Sequence, residues 1–73
     1  MLRKQNYPAI MDMIKAYEYK HKKQIMYVTL LDYIQQAYKF SRTTAREYGE
    51  DLRHMNYITV QADGKVIRMA GRN

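Results

Sequence analysis

The sequence predicts a small α+β domain in which three helices precede a C-terminal β-hairpin. Two observations favour this fold class. Apolar residues recur at three- and four-residue steps through most of the chain before residue 56, which is typical of helices with one buried face. Two short β-prone segments then flank Asp63-Gly64, a dipeptide that favours a tight hairpin turn. With 73 residues, the chain is long enough for one domain, which we expect to span residues 1–73.

The first helix is predicted from about residue 7 to residue 22. Pro8 fits a first helical turn, where its missing N–H is not needed. Ile10, Ile14 and Tyr17 then fall on one side of the helix, so we expect that side to be buried.

A short strand and a second helix follow in the prediction. Residues 24–28 are rich in β-branched and aromatic side chains, which favours a strand that needs the hairpin as its partner. Thr29 is predicted to cap a helix over residues 30–39, because Asp32 then falls in the first turn and Leu30 and Ile34 share a face.

The third helix is predicted over residues 42–55. Ser41 is a favourable N-cap, and Asn56 suits the left-handed conformation that commonly ends a helix. Gly49 costs about 1 kcal/mol relative to alanine inside a helix, so we expect a neighbouring backbone to pass close to it.

The hairpin is predicted over residues 57–69. If Asp63 and Gly64 form a two-residue turn, the strand register is fixed. Val60 then lies opposite Ile67 and Ile58 lies opposite Met69, so these four apolar side chains share one face.

The composition favours a polyanionic partner. Thirteen Lys and Arg against seven Asp and Glu give a net charge of +6, which favours nucleic acid ahead of an anionic membrane surface. There is no cysteine, so disulfides and thiolate zinc sites are excluded. Neither a membrane span nor a signal peptide is expected, and we expect a cytoplasmic protein.

The sequence lacks the usual signs of an enzyme. His21 and His54 lie on different predicted helices without the spacing of a metal pair, and no phosphate-binding glycine loop or nucleophile motif is present. We therefore expect no catalytic activity, cofactor, metal or small-molecule ligand.

The chain resembles the winged helix-turn-helix family of DNA-binding regulators, most of all small single-domain members from archaea, their viruses, phages and plasmids. Residues 28–34, 40–48 and 52–58 and the Asp63-Gly64 wing tip carry the resemblance. It implies the order α-β-α-α-β-β and a nucleoid-associated transcriptional regulator that binds double-stranded DNA. Lys39-Phe40 departs from the family at a turn where many members have glycine.

The resemblance nominates the helix that starts at Ser41 as the recognition helix in the major groove. Arginine can bond guanine bidentately, threonine can contact the thymine methyl group, and glutamate can accept from cytosine. The expected base-reading residues are Arg42, Thr43, Thr44, Arg46 and Glu47. The expected contacts of the wing or of backbone phosphates are Thr29, Lys39, Ser41, Lys65 and Arg68. Each of these could instead be a solvated charge or cap.

Other interpretations remain open from the sequence. The basic run of Lys15, Lys20, Lys22 and Lys23 could contact DNA or simply stabilise a helix end. Most of the eight tyrosines are expected in the core rather than as a platform for single strands. A homodimer with a contact through the first helix is expected. The competing functions are a protein–protein adaptor and a non-specific architectural DNA binder.

Overall fold

The computed structural model describes residues 3–69, and the side chains of residues 4–69. Within this part of the chain, three helices precede a two-stranded antiparallel hairpin, which confirms the predicted α+β class at that level. The elements are a 3-10 turn at Arg3–Asn6, α1 at Tyr7–His21, α2 at Tyr27–Tyr38, α3 at Arg42–His54, β1 at Ile58–Val60 and β2 at Val66–Arg68.

The core lies where the inner faces of the helices meet the hairpin. Every helix and strand contributes to it, and each fully buried Ile, Leu or Val side chain contributes about 1.5–3 kcal/mol to stability. The largest fully buried side chains are Ile10, Ile14, Ile25, Leu30, Ile34, Leu52 and Val66.

The predicted first helix is confirmed to within one residue. Pro8 lies in its first turn, and α1 ends where Lys22 adopts the left-handed conformation with a φ of 60°. The Lys22 N–H donates to the carbonyl of Glu18, so this lysine ends the helix as a glycine commonly does.

The predicted strand at residues 24–28 and the predicted cap at Thr29 are wrong. α2 already begins at Tyr27, after Met26, which is extended and makes no side-chain cap hydrogen bond. The Tyr27 N–H instead donates to the carbonyl of Gly64 at 2.8 Å. Of the expected strand, one antiparallel bridge between Met26 and Lys65 is present, so the hairpin supplies the missing cap to α2 from a distant part of the sequence.

The hairpin is confirmed, but its predicted register is wrong by one residue. Val66 is buried where Ile67 was expected, and Met69 is 41% exposed. A shift of one residue in one strand exchanges its two faces. The observed pairs are Ile58–Arg68, Thr59–Ile67 and Val60–Val66.

The hairpin loop explains the shift, because it holds three residues instead of two. The Gly64 N–H donates to the carbonyl of Gln61 at 2.8 Å, and the Gln61 N–H donates to the carbonyl of Lys65 at 2.9 Å. Gly64 has a φ of +93°. This is the three-residue loop in which a turn is followed by a left-handed glycine, and Asp63-Gly64 is compatible with it as well as with the shorter turn.

Gly49 lies against a side chain and not against the backbone that the sequence analysis expected. A Cβ atom at this position would lie 2.9 Å from Cζ of Tyr27 and 3.1 Å from Cδ2 of Leu31. Helix α3 therefore has a glycine where the Tyr27 ring of α2 crosses it.

Within residues 3–69, no helix combines the length and the apolar character needed to cross a membrane.

Candidate nucleic-acid interface

Helix α3 begins at a cap that fixes its first turn. The Thr44 N–H donates to Oγ of Ser41 at 3.2 Å, and the Ser41 hydroxyl donates to Oγ1 of Thr44 at 3.2 Å. Ser41 is therefore confirmed as the N-cap. Ala45, Tyr48 and Leu52 are buried on the inner side of α3, so the opposite side of the helix faces outward.

The outward side of α3 holds the most accessible of the predicted base-reading residues. Thr43, Arg46 and Glu47 are exposed, whereas Thr44 is half-buried beside its cap. Among residues 3–69, Arg46 makes no hydrogen bond or ion pair, and it lines a shallow surface groove with Thr43 and Glu47. Arg46 is therefore the arginine on this helix that is available to a ligand.

Arg42 is partly engaged by helix α2. Its Nη1 donates to Oδ1 of Asp32 at 2.6 Å and to Oε1 of Gln35 at 2.9 Å, and its side chain is 39% exposed. Arg42 thus links the start of α3 to α2. Sequence reasoning did not predict this pair, because the contact depends on how α2 and α3 pack against each other.

The turn between α2 and α3 is built without glycine. Lys39 itself adopts the left-handed conformation, with a φ of 61°. The rings of Tyr38 and Tyr48 each stack on the ring of Phe40, with centroids 5.2 Å apart in both pairs. The aromatic cluster holds the turn, and the exposed Lys39 side chain lies next to the cap of α3.

The Asp63-Gly64 hairpin loop lies beside the start of α2, where the Gly64 carbonyl accepts a hydrogen bond from the Tyr27 N–H. The Met26–Lys65 bridge brings Lys65 close to the first turn of α2, where Thr29 is half-buried. Lys65 is exposed, and its Nζ lies 3.7 Å from Oδ2 of Asp63. Two of the predicted phosphate-contacting residues, Thr29 and Lys65, are therefore in neighbouring parts of the surface.

Arg68, in β2, is paired with a carboxylate of another element. Its Nε and Nη2 lie 2.9 Å and 2.8 Å from Oε1 of Glu18. The hydrogen bond with Glu18 raises the pKa of Arg68 above its usual value. Since Glu18 belongs to α1, the ion pair of Arg68 with Glu18 links β2 to α1.

Two carboxylates in the middle of α3 receive hydrogen bonds from tyrosines of other elements. The Tyr27 hydroxyl donates to Oε2 of Glu50 at 2.6 Å, and the Tyr7 hydroxyl donates to Oδ2 of Asp51 at 2.9 Å. Arg53 also donates to Glu50 at 3.1 Å. These hydrogen bonds hold both carboxylates against neighbouring elements of the domain. No local sequence pattern predicted these hydrogen bonds.

The protonation of the Tyr27–Glu50 pair is fixed by the same contact. Burial raises the pKa of Tyr27 well above its usual range, and the hydrogen bond to Glu50 raises it further. The hydrogen bond from Tyr27 lowers the pKa of Glu50. At neutral pH Glu50 is therefore an anion held by a neutral tyrosine.

The tyrosines that were predicted on apolar stripes do pack in or against the core. Tyr48 is buried, and Tyr17 and Tyr38 pack against the buried cluster. Tyr19, by contrast, is 78% exposed on α1.

Within residues 3–69, no group of three His, Cys, Asp or Glu side chains is placed to hold a metal ion.

Comparison of the chain with protein-family models, with curated proteins and with solved structures gave no match.

Proposed function

We propose that the protein binds double-stranded DNA at specific sequences and regulates transcription, with the first two turns of α3 in the major groove. The observation that carries this proposal is the placement of Thr43 and Arg46. Both are exposed on the outer side of a capped helix, and the inner side of that helix is fixed by the core. An α-helix of this kind fits the major groove of B-DNA. The resemblance to winged-helix regulators supports the same docking.

Arg46 is the main base-reading residue in this proposal. Its guanidinium is unengaged among residues 3–69, so bidentate bonding to guanine breaks no contact within that part of the chain. Thr43 can contact a thymine methyl group, and Glu47 can accept from cytosine. Arg42 takes part only by exchanging its bond to Asp32 for a bond to DNA, and Thr44 supports the cap.

The phosphate contacts of the proposal fall into two groups. Lys39 and Ser41 lie at the N-terminal end of α3. Thr29 lies in the first turn of α2, where the positive end of the helix dipole favours an anion, and the Met26–Lys65 bridge brings Lys65 near that turn. Contacts of this kind position the helix but carry no sequence information. A protein with this role would be found on the nucleoid.

The test is selection of bound duplexes from a random pool, followed by binding measurements with single variants. Arg46→Ala is expected to relax the preference at one base position. A good bidentate contact is worth about 1–3 kcal/mol of discrimination, so affinity for the selected site should fall roughly 5- to 150-fold. Affinity for unrelated duplexes should fall much less.

Two variants with the same change in charge serve as controls. Lys39→Ala should weaken binding to all sequences alike and reduce the slope of log affinity against log salt concentration by about 1. Lys15→Ala removes a charge from the exposed side of α1 and should change neither the preference nor the slope by a comparable amount.

Three results would contradict the proposal. If Arg46→Ala weakens every sequence equally, α3 does not read bases through this residue. If selection enriches no sequence although the protein binds, the protein is an architectural DNA binder. If it fails to bind duplex even at low salt, a protein–protein adaptor is the better interpretation.

A further inference from the structure

One side of α1 is exposed. Ala9, Asp12, Ala16 and Lys20 lie on it at helical spacing and are all exposed. Beside them lies the half-buried Met13, which also packs against the core. Two small residues on an exposed helix side leave room for another backbone to approach closely.

The polar residues of this side are arranged symmetrically about Ala16. Asp12 is four residues before Ala16, and Lys20 is four residues after it. The two charges are therefore about 12 Å apart along the axis at a rise of 1.5 Å per residue, which is too far for them to pair within one helix. Among residues 3–69, neither forms an ion pair with any other side chain.

The apolar residues follow the same symmetry. Met13 is three residues before Ala16, and Tyr19, which is 78% exposed, is three residues after it. If a second copy of α1 packs antiparallel with Ala16 against Ala16, each Asp12 lies level with Lys20 of the other copy. Each Met13 likewise lies level with Tyr19 of the other copy. The side is thus complementary to itself in charge and in apolar character, as an interface with twofold symmetry requires.

A shallow apolar groove borders this side of α1. It runs between α1 and α2 and is lined by Met13, Ala16, Tyr17, Lys20 and Tyr33, among others. An antiparallel helix centred on Ala16 would cover its α1 edge and remove exposed apolar surface from water, which favours association.

We propose that a second copy of this chain docks antiparallel on α1, with the twofold axis passing between the two Ala16 residues. This interface does not involve α3 or the wing tip, so it can be tested without DNA and stands apart from the proposed function.

The test is a charge-exchange experiment followed by sedimentation velocity over a concentration series. The wild-type chain is expected to form a dimer. Asp12→Lys places a second positive charge level with Lys20 of the other copy, and Lys20→Asp places a second negative charge level with Asp12 of the other copy. Each variant alone should raise the dimer dissociation constant at least about tenfold, because two attractive pairs become repulsive. An equimolar mixture of the two variants, and the double variant Asp12→Lys/Lys20→Asp, should restore the dimer.

Lys39→Asp is the matched control, because it reverses an exposed charge outside α1 and should leave the dimer intact. Circular dichroism of each variant checks that the helices are retained. A monomeric wild type at every concentration overturns the proposal. A dimer whose dissociation constant is unchanged by both single charge reversals also overturns it, as does a mixture of the two variants that fails to form dimers. A parallel or unrelated interface would give these results.

Discussion

Replacing Gly49 by alanine is expected to destabilise the protein, although the same change stabilises an ordinary helix. Alanine gains about 1 kcal/mol over glycine inside a helix. Here the new Cβ would lie 2.9 Å from Cζ of Tyr27 and 3.1 Å from Cδ2 of Leu31, and overpacking of this kind costs about 1–3 kcal/mol. Moving the Tyr27 ring also disturbs its 2.6 Å hydrogen bond to Glu50, and hydrogen bonds to charged groups are worth about 1.5–3 kcal/mol. The net expected loss is about 2 kcal/mol.

Thermal denaturation checks this prediction. A loss of about 2 kcal/mol should lower the Tm of a domain of this size by roughly 8–16 °C. Lys15, exposed in the middle of α1, gives the propensity control, since its alanine variant should be more stable than its glycine variant by about 1 kcal/mol. The Gly49→Ala penalty should shrink in a Tyr27→Phe background, where the hydroxyl is absent. A rise in Tm for Gly49→Ala, similar to the control, would refute the close approach of Tyr27.

Three further predictions concern backbone conformation and pH. Gly64→Ala forces a side chain into a φ of +93° with Met26 Cε 3.0 Å away, and it should lower stability by about 1–2 kcal/mol in urea denaturation. Lys39→Gly replaces a lysine in the left-handed conformation by the residue that adopts it at no steric cost, and it should raise Tm by roughly 4–8 °C. The lowered pKa of Glu50 means that its hydrogen bond stabilises the fold fully above the ordinary value of 4.5. The stability difference between wild type and Tyr27→Phe should therefore shrink as the pH falls below 4.5.

Local signals predicted the helices whose ends are set by nearby residues. Ser41 and Asn56 lie at the ends of α3 as their side chains and backbone preferences indicate, and Pro8 marks the first turn of α1. The start of α2 could not be predicted in this way. The Tyr27 N–H donates to the carbonyl of Gly64, which is far along the chain. A search for a cap near the start of the helix therefore found Thr29 instead.

The hairpin register and the contact between Arg42 and Asp32 could not be predicted from the sequence, for related physical reasons. Asp63-Gly64 suits two loop lengths, and the choice between them depends on whether Val66 or Ile67 packs in the core. The base-reading residues were predicted from helix position alone. Helix position could not reveal that Arg42 reaches across to Asp32, because that contact depends on the angle between α2 and α3. Arg46 has no such neighbour among residues 3–69, and it keeps the exposure that its position predicted.

The distribution of charge along α3 sets how the helix would approach DNA. The segment from Arg42 to Arg46 contains two arginines and no acidic residue, whereas Glu47, Glu50 and Asp51 follow in the next turns. Glu50 and Asp51 accept hydrogen bonds from tyrosines, and the lowered pKa of Glu50 keeps that carboxyl group negatively charged at neutral pH. Phosphates would repel them if α3 lay along the groove for its whole length. In the proposed complex, α3 would therefore enter the groove by its N-terminal end, with attraction at that end and repulsion at the other end setting its approach angle.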